Sequence, residues 1–302
     1  MENNLSELTL LFHQLKFQVY CSRKTGMEFQ VFFEQIMECA FNDFQPIKPS
    51  GNEGDWKSDG LKLFDGTNFQ VYAPEKMTSS KIMKKIDEDF EGAKTKWKTK
   101  LKKWVFVYAS EKALPPKVAN HIIELIELNK DIIIETWGEQ KLWQIVKIIP
   151  EEVRNSLFGY FPTVADAKNV TAAEVQTLLN YLVEQESTTF EEILIQTDLA
   201  EKLCKNNLGE LIKRTVKEAL PISKIVNSYM EHQHDPLFIT KVARSLKSFY
   251  FELREKYPDD PDRIFWNLIF IVCNHDDKDP KSFYSSAGIV TYFFQLCDIF
   301  ET

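Results

Sequence analysis

The sequence predicts a mixed α/β domain over residues 1–150, followed by an all-helical domain over residues 165–302, and three observations carry that expectation. Helical and strand patterns alternate between about residues 79 and 149, the order that builds parallel crossover units on one sheet. After Pro150 the β-branched runs give way to capping signals and 3.6-residue periodicity. Glycine (10) and proline (12) are scarce in 302 residues, which favours helices over a loop-rich or all-β architecture.

The first forty-odd residues read as two helices. Leu8, Leu11, Phe12, Leu15 and Val19 form an apolar stripe at helical spacing, and Arg23-Lys24-Thr25-Gly26 breaks it. A second helix over 27–41 carries Phe29, Phe32, Phe33, Ile36 and Met37. A strand over 44–48 then leads through a Pro-Ser-Gly-Asn loop to Gly54-Asp55-Trp56-Lys57-Ser58-Asp59-Gly60. Two short strands, over 59–64 and 68–72, close a hairpin around Asp65-Gly66, so that Asp59 and Gln70 lie side by side at one end of a small sheet. Strand alternation puts Gln70 and Tyr72 on one face and turns Lys62 away from the face of Asp59.

Ser79 or Ser80 caps a lysine-rich helix running to about residue 103. Trp104-Val105-Phe106-Val107-Tyr108 is a continuous apolar run, as in a strand buried on both faces. Pro115 and Pro116 open a helix through Leu128, a β-branched strand spans 131–137, and a helix spans 139–149. Residues 159–170 form the expected boundary. Beyond them, Thr171-x-x-Glu174 and Thr188-x-x-Glu191 are capping boxes. Further helices are expected over 200–204, 208–218, 222–232, 238–257, 262–273 and 285–300, with the run 269–273 ambiguous between helix and strand.

Composition narrows the function. A hydrophobic content of 44%, with 23 Phe, 10 Tyr and 6 Trp, is enough for a well-packed core. The longest apolar run, 265–273, is about half of a membrane span, and Met1-Glu2-Asn3-Asn4 lacks the basic start of a signal peptide. A soluble, cytoplasmic protein with no membrane partner is expected. Cys21, Cys39, Cys204, Cys273 and Cys297 are odd in number, and none forms a C-x-x-C pair, so they are expected reduced and buried rather than metal-bound or bridged. His232, His234 and His275 lie beside turn signals and read as capping or solvated groups. No Ser-His-Asp order, glycine-rich phosphate loop or dinucleotide fingerprint occurs, which excludes an ATPase or a dehydrogenase.

A net charge of -8 argues against indiscriminate coating of nucleic acid, but a local basic face is sufficient for binding it. The lysine run from Lys76 to Lys103 offers such a face, with Lys57, Lys76, Lys84 and Lys96 as candidate phosphate contacts and Trp97 and Trp104 nearby. The same run also reads as a solvated helix face. Likewise, Asp59-Gly60 alone reads as an ordinary turn and Gln70 as a surface strand residue.

Taken together, Glu28-Phe29-Gln30-x-x-Phe33, Gly51-Asn52-x-Gly54-Asp55-x-Lys57-x-Asp59-Gly60 and Gln70-Val71-Tyr72-Ala73-Pro74-Glu75 resemble the PD-(D/E)XK (Mrr-like) nuclease superfamily. The closer resemblance is to nuclease-like components of ABC-ATPase three-component antiphage systems, Lamassu-like ones included. The stretch from Ala287 to Glu301 resembles the helical terminal domain of those components. The resemblance implies a restriction-endonuclease-like mixed sheet flanked by helices. It implies Mg²⁺ or Mn²⁺ held by Asp59 and Gln70, with Glu28, or Glu34 on the same helix, as the early acid. Asp55 is either a second metal ligand or a partner of the tight turn. The lysine usual two residues beyond the second ligand is replaced by Tyr72, which would orient a water; otherwise a lysine reaches in from Lys57, Lys76 or the helix carrying Lys84 and Lys85. The implied function is a Mg²⁺-dependent DNA endonuclease, restrained until an SMC-like or ABC ATPase and a third small subunit trigger it, with self-assembly also open. The alternatives are an inactive nuclease fold that scaffolds the complex, and an RNA-directed nuclease.

Overall fold

The computed structural model describes residues 2–49, 55–74, 78–109, 114–186, 197–274, 278–296 and 299–300. The chain divides into two compact units, Met1–Phe158 and Gly159–Thr302.

The first unit is a five-stranded sheet between two layers of helices. Its strands are β1 (Phe44–Pro46), β2 (Gly60–Lys62), β3 (Thr67–Tyr72), β4 (Lys103–Tyr108) and β5 (Ile133–Trp137), in spatial order β1-β2-β3-β4-β5. The first three pair antiparallel through the expected hairpin, with Gly60 opposite Phe69. β3, β4 and β5 run parallel, joined by α3 (Ser79–Trp97) and α4 (Pro116–Leu128). Alternation along β4 supplies both cores. Val105 and Val107 pack with Phe69 and Val71 against α1 (Glu2–Arg23), α2 (Gly26–Ala40), α5 (Glu139–Ile148) and α6 (Glu151–Phe158). Trp104 and Phe106 face α3 and α4, where Ile82, Ile86, Phe90, Val118 and Ile122 are buried. Gln70 and Tyr72 therefore lie on the α3 face of the sheet.

Several boundaries differ from expectation. On α1, Leu11 is 41% exposed, whereas His13, Lys16 and Phe17 are buried. The cap of α3 is Thr78, whose Oγ1 accepts from the Lys81 N–H, rather than Ser79 or Ser80. The same helix stops at Trp97, because Lys98 turns to φ 51° and a 3₁₀ turn follows over Lys98–Lys100. Helix α6 belongs to the first unit: Leu157 and Phe158 sit in its core, and buried Lys16 donates to the Phe158 carbonyl at 2.6 Å.

The second unit is helical: α7 (Val164–Lys168), α8 (Ala172–Glu184), α9 (Leu199–Lys205), α10 (Glu210–Glu231), α11 (Phe238–Lys256), α12 (Pro261–Val272) and α13 (Pro280–Leu296). The Thr171–Glu174 capping box is formed; Thr188 and Glu191 lie outside the described residues. Pro221 does not divide α10 in two as expected, since Ala219, Ile222, Ser223 and Val226 form one continuous buried face past it. The ambiguous run 269–273 is helical up to Val272. Helix α13 starts five residues earlier than predicted, where Asp279 accepts from the Lys281 and Ser282 N–H groups. Cys204 is exposed, against the expectation of burial, while Cys21 and Cys273 are buried. Among the described residues no helix is long and apolar enough to cross a membrane.

Candidate functional site

Asp59 stands just ahead of β2, and its backbone extends the ladder: its N–H donates to the Phe69 carbonyl at 2.8 Å, and its carbonyl accepts from Ile47 at 3.1 Å. Gly60 follows because a Cβ there would lie 2.5 Å from the Phe44 ring. Fixed in this way, the carboxylate turns onto β3. Its Oδ2 accepts from the Gln70 side-chain amide at 2.8 Å and from the Val71 N–H at 2.7 Å. Asp59 and Gln70 are thus brought together, both nearly buried. Burial is the largest influence on the Asp59 carboxyl and pushes its pKa up to about 6; Asp55 and Asp89 push the same way, while the Val71 bond and Lys85 oppose them. Gln70 spends its NH₂ on Asp59, which leaves its Oε1 buried without a hydrogen bond. Asn68, on the same face of β3, also has both amide atoms buried without one.

The third element of the site is α3. Asp89 is fully buried, and two lysines converge on it: Lys85 Nζ lies 2.8 Å from Oδ2, and Lys57 Nζ 3.2 Å from Oδ1. The hydrogen bond that Lys57 donates to Asp89 is the chief reason the Lys57 pKa is raised. Lys57 reaches Asp89 by lying across Gly92, where an added Cβ would stand 2.5 Å from Lys57 Cγ. Sequence reasoning missed Asp89 among the many acids of this helix. Its signal was position, since 82, 86, 89 and 93 form one helical stripe and Asp89 is the one charged residue on it.

The other predicted residues are more scattered. Tyr72 is half-buried and packs on the Phe106 ring, with centroids 5.8 Å apart. Glu28 lies exposed in the first turn of α2, and among the described residues its carboxylate has no hydrogen bond or ion pair. Glu34 is buried but committed to Lys48, with both carboxylate oxygens 2.7 Å from Nζ. Asp55 accepts from the Lys57 N–H at 2.9 Å, the turn-closing role. Lys84 points to solvent beside Glu88 at 3.6 Å, and Lys96 is exposed. Lys76 lies outside the described residues, as does His275. His232 ends α10, its Nδ1 2.7 Å from the Ser228 carbonyl.

Among the described residues no three His, Cys, Asp or Glu side chains gather to hold a metal ion. What the site does offer is one carboxylate and one amide oxygen, both hard donors, and that oxygen is the buried Gln70 Oε1 with no protein partner. This small oxygen set suits Mg²⁺, which keeps several of its waters and takes one or two protein ligands beside a phosphate. Asp59 and Gln70 are the residues that could hold it.

Comparison with curated proteins and with solved structures returns no match at all. Residues 173–301, from α8 onward, match the family model described as C-terminal domain 10 of the ABC-three component (ABC-3C) systems.

Proposed function

We propose that the chain is the nuclease effector of an ABC-three component antiphage system, its first unit a Mg²⁺-dependent DNA endonuclease of the PD-(D/E)XK kind. The match of residues 173–301 supports the system. The observation that carries the chemistry is the Asp59–Gln70 pair, with its unpartnered amide oxygen, beside Asp89 of α3, on which Lys85 of that helix and Lys57 of the preceding loop converge. Mg²⁺ held there would supply Lewis-acid polarisation of the scissile phosphate and acidification of the attacking water. Asp59 and Gln70 hold the ion and fix the register of the strand being cut. Lys85, which acts on Asp59 electrostatically, supplies the positive charge that Tyr72 cannot, offsetting charge that develops on the phosphate. Asp89 is a positioning residue that aims Lys85 and Lys57. The helical unit docks on an ABC (SMC-like) ATPase and a third small subunit, which release the activity.

Tyr72 packed on Phe106 favours a second reading, a nuclease fold kept as an inactive scaffold of the same complex. Cleavage of supercoiled plasmid with Mg²⁺ or Mn²⁺, alone and with the ATPase partner, separates the two. Cutting that is lost in Asp59→Ala and Gln70→Ala supports the nuclease. No cutting in any state, with partner binding intact, supports the scaffold.

A further inference from the structure

Three residues before Asp59 the chain does something costly. Trp56 and Lys57 both adopt left-handed backbone, φ 54° and 56°, although neither is glycine or asparagine. Asp55 holds the second of these by accepting the Lys57 N–H, and Lys57 is then drawn inward to Asp89. The result is that Trp56 turns outward, 37% exposed, against Trp97 at the end of α3. The two indoles meet edge to face with centroids 5.4 Å apart, and Trp97 Nε1 donates to the Trp56 carbonyl at 3.2 Å. Strained backbone that persists at a site is one of the marks of function. A fully buried indole would explain itself by packing, but Trp56 keeps over a third of its surface exposed.

Its surroundings name the ligand. From Gly92 to Lys103 the chain carries six lysines (Lys94, Lys96, Lys98, Lys100, Lys102 and Lys103) and no acid. Lys96, Lys98, Lys100 and Lys102 are exposed, and among the described residues none of them has an acidic partner. Lysines in the last turn suit the negative end of a helix, yet three of these four lie beyond it. An exposed aromatic ring flanked by uncompensated cations is the arrangement that binds a single strand: the ring stacks on a base and the cations follow the phosphates. Three residues of chain span at most about 10 Å between Cα atoms, which keeps the backbone of Trp56 close to that of Asp59.

We infer that Trp56, backed by Trp97, is a stacking seat for an unpaired base, with Lys96, Lys98 and Lys100 on the adjoining phosphates, so that the site receives nucleic acid as a single strand. This rests on the nuclease reading for the identity of the ligand and goes beyond it in naming the strand state. A duplex keeps its bases stacked on one another and cannot offer one to Trp56 without unpairing.

The test is binding without turnover. Fluorescence anisotropy of a labelled fifteen-nucleotide oligo-dT, the matching oligo-rU and a duplex of the same length is measured in EDTA, for the full-length chain and for Trp56→Leu and Trp56→Phe. The expected result is tighter binding of the single strands than of the duplex, a loss of about ten-fold in Trp56→Leu confined to single strands, and near-recovery in Trp56→Phe. The oligo-dT and oligo-rU arms decide which sugar is preferred. Thermal melting establishes that both variants fold, and Lys98→Glu provides a second route, expected to weaken binding and flatten its salt dependence. Duplex bound as tightly as single strands, or Trp56→Leu indistinguishable from the parent, overturns the inference while leaving the nuclease reading intact. Failure to cleave the bound single strands when Mg²⁺ is added, with single-strand binding preserved, does the reverse.

Discussion

Asp59→Asn should make the protein more stable, and only above a certain pH. In the fold, burial raises the Asp59 carboxyl to about 6, whereas in an unfolded chain it titrates near 3.9. A raised carboxyl binds its proton more tightly folded than unfolded. Its contribution is therefore most favourable below about pH 4 and is lost as pH climbs through about 6. The difference between those two values corresponds to about 3 kcal/mol at pH 8, an upper figure because the unfolded chain retains some structure. Asparagine removes that cost and, with its oxygen in the Oδ2 place, still accepts from both the Val71 N–H and the Gln70 amide. In a unit of this size the gain corresponds to about 6–12 °C in melting temperature at pH 8, falling to about a third of that at pH 4.5. Melting curves of both proteins across pH 4.5–8 in EDTA provide the measurement, and carboxylates common to both cancel in the difference. Adding Mg²⁺ at pH 8 should raise the parent toward the variant and leave the variant unmoved. A difference that is flat with pH, or a variant less stable at pH 8, would refute the account of Asp59.

Two other perturbations probe α3. Gly92→Ala in a helix interior ordinarily stabilises by about 1 kcal/mol, but here the added methyl meets Lys57 Cγ. The sign should reverse, lowering melting temperature and cleavage together; a stabilised, fully active variant would show that Lys57 has nothing to lose. Lys85→Ala should reduce plasmid cutting at least ten-fold, whereas Lys84→Ala, one residue away on the solvent side, should leave it within two-fold, judged by initial rates at saturating Mg²⁺.

The hairpin was readable because Asp65-Gly66 sets its turn and alternation then fixes which side chains meet, so Asp59 and Gln70 were paired from spacing alone. The apolar run 104–108 announced a strand buried on both faces, and it fills both cores. The part that depends on backbone choices without a sequence mark was not readable. Nothing in Trp56-Lys57 advertises left-handed φ, and a lysine lying across Gly92 into buried Asp89 requires knowing how the loop meets the helix. Glu28 was drawn in by its string of neighbours; it stands exposed in the first turn of α2, whose Gly26 N–H donates to the Ala73 carbonyl just beyond β3. In the second unit Pro221 was over-read: one missing N–H is a small loss beside a buried face that continues on either side of it.

All the contacts that join Trp56, Lys57, Asp59, Gln70, Asp89 and Trp97 close within residues 55–97, inside a unit that ends at Phe158. That has a consequence for a ribosome making this chain. Loops this short close at little entropic cost, and a domain of this size folds as a unit once it has emerged. At about 5–20 residues per second, the helical unit takes roughly 7–30 s more to be synthesised. For that interval the Asp59–Gln70 pair stands complete on a tethered, half-made molecule. Whatever the helical unit later contributes, it arrives after the Asp59–Gln70 pair is in place.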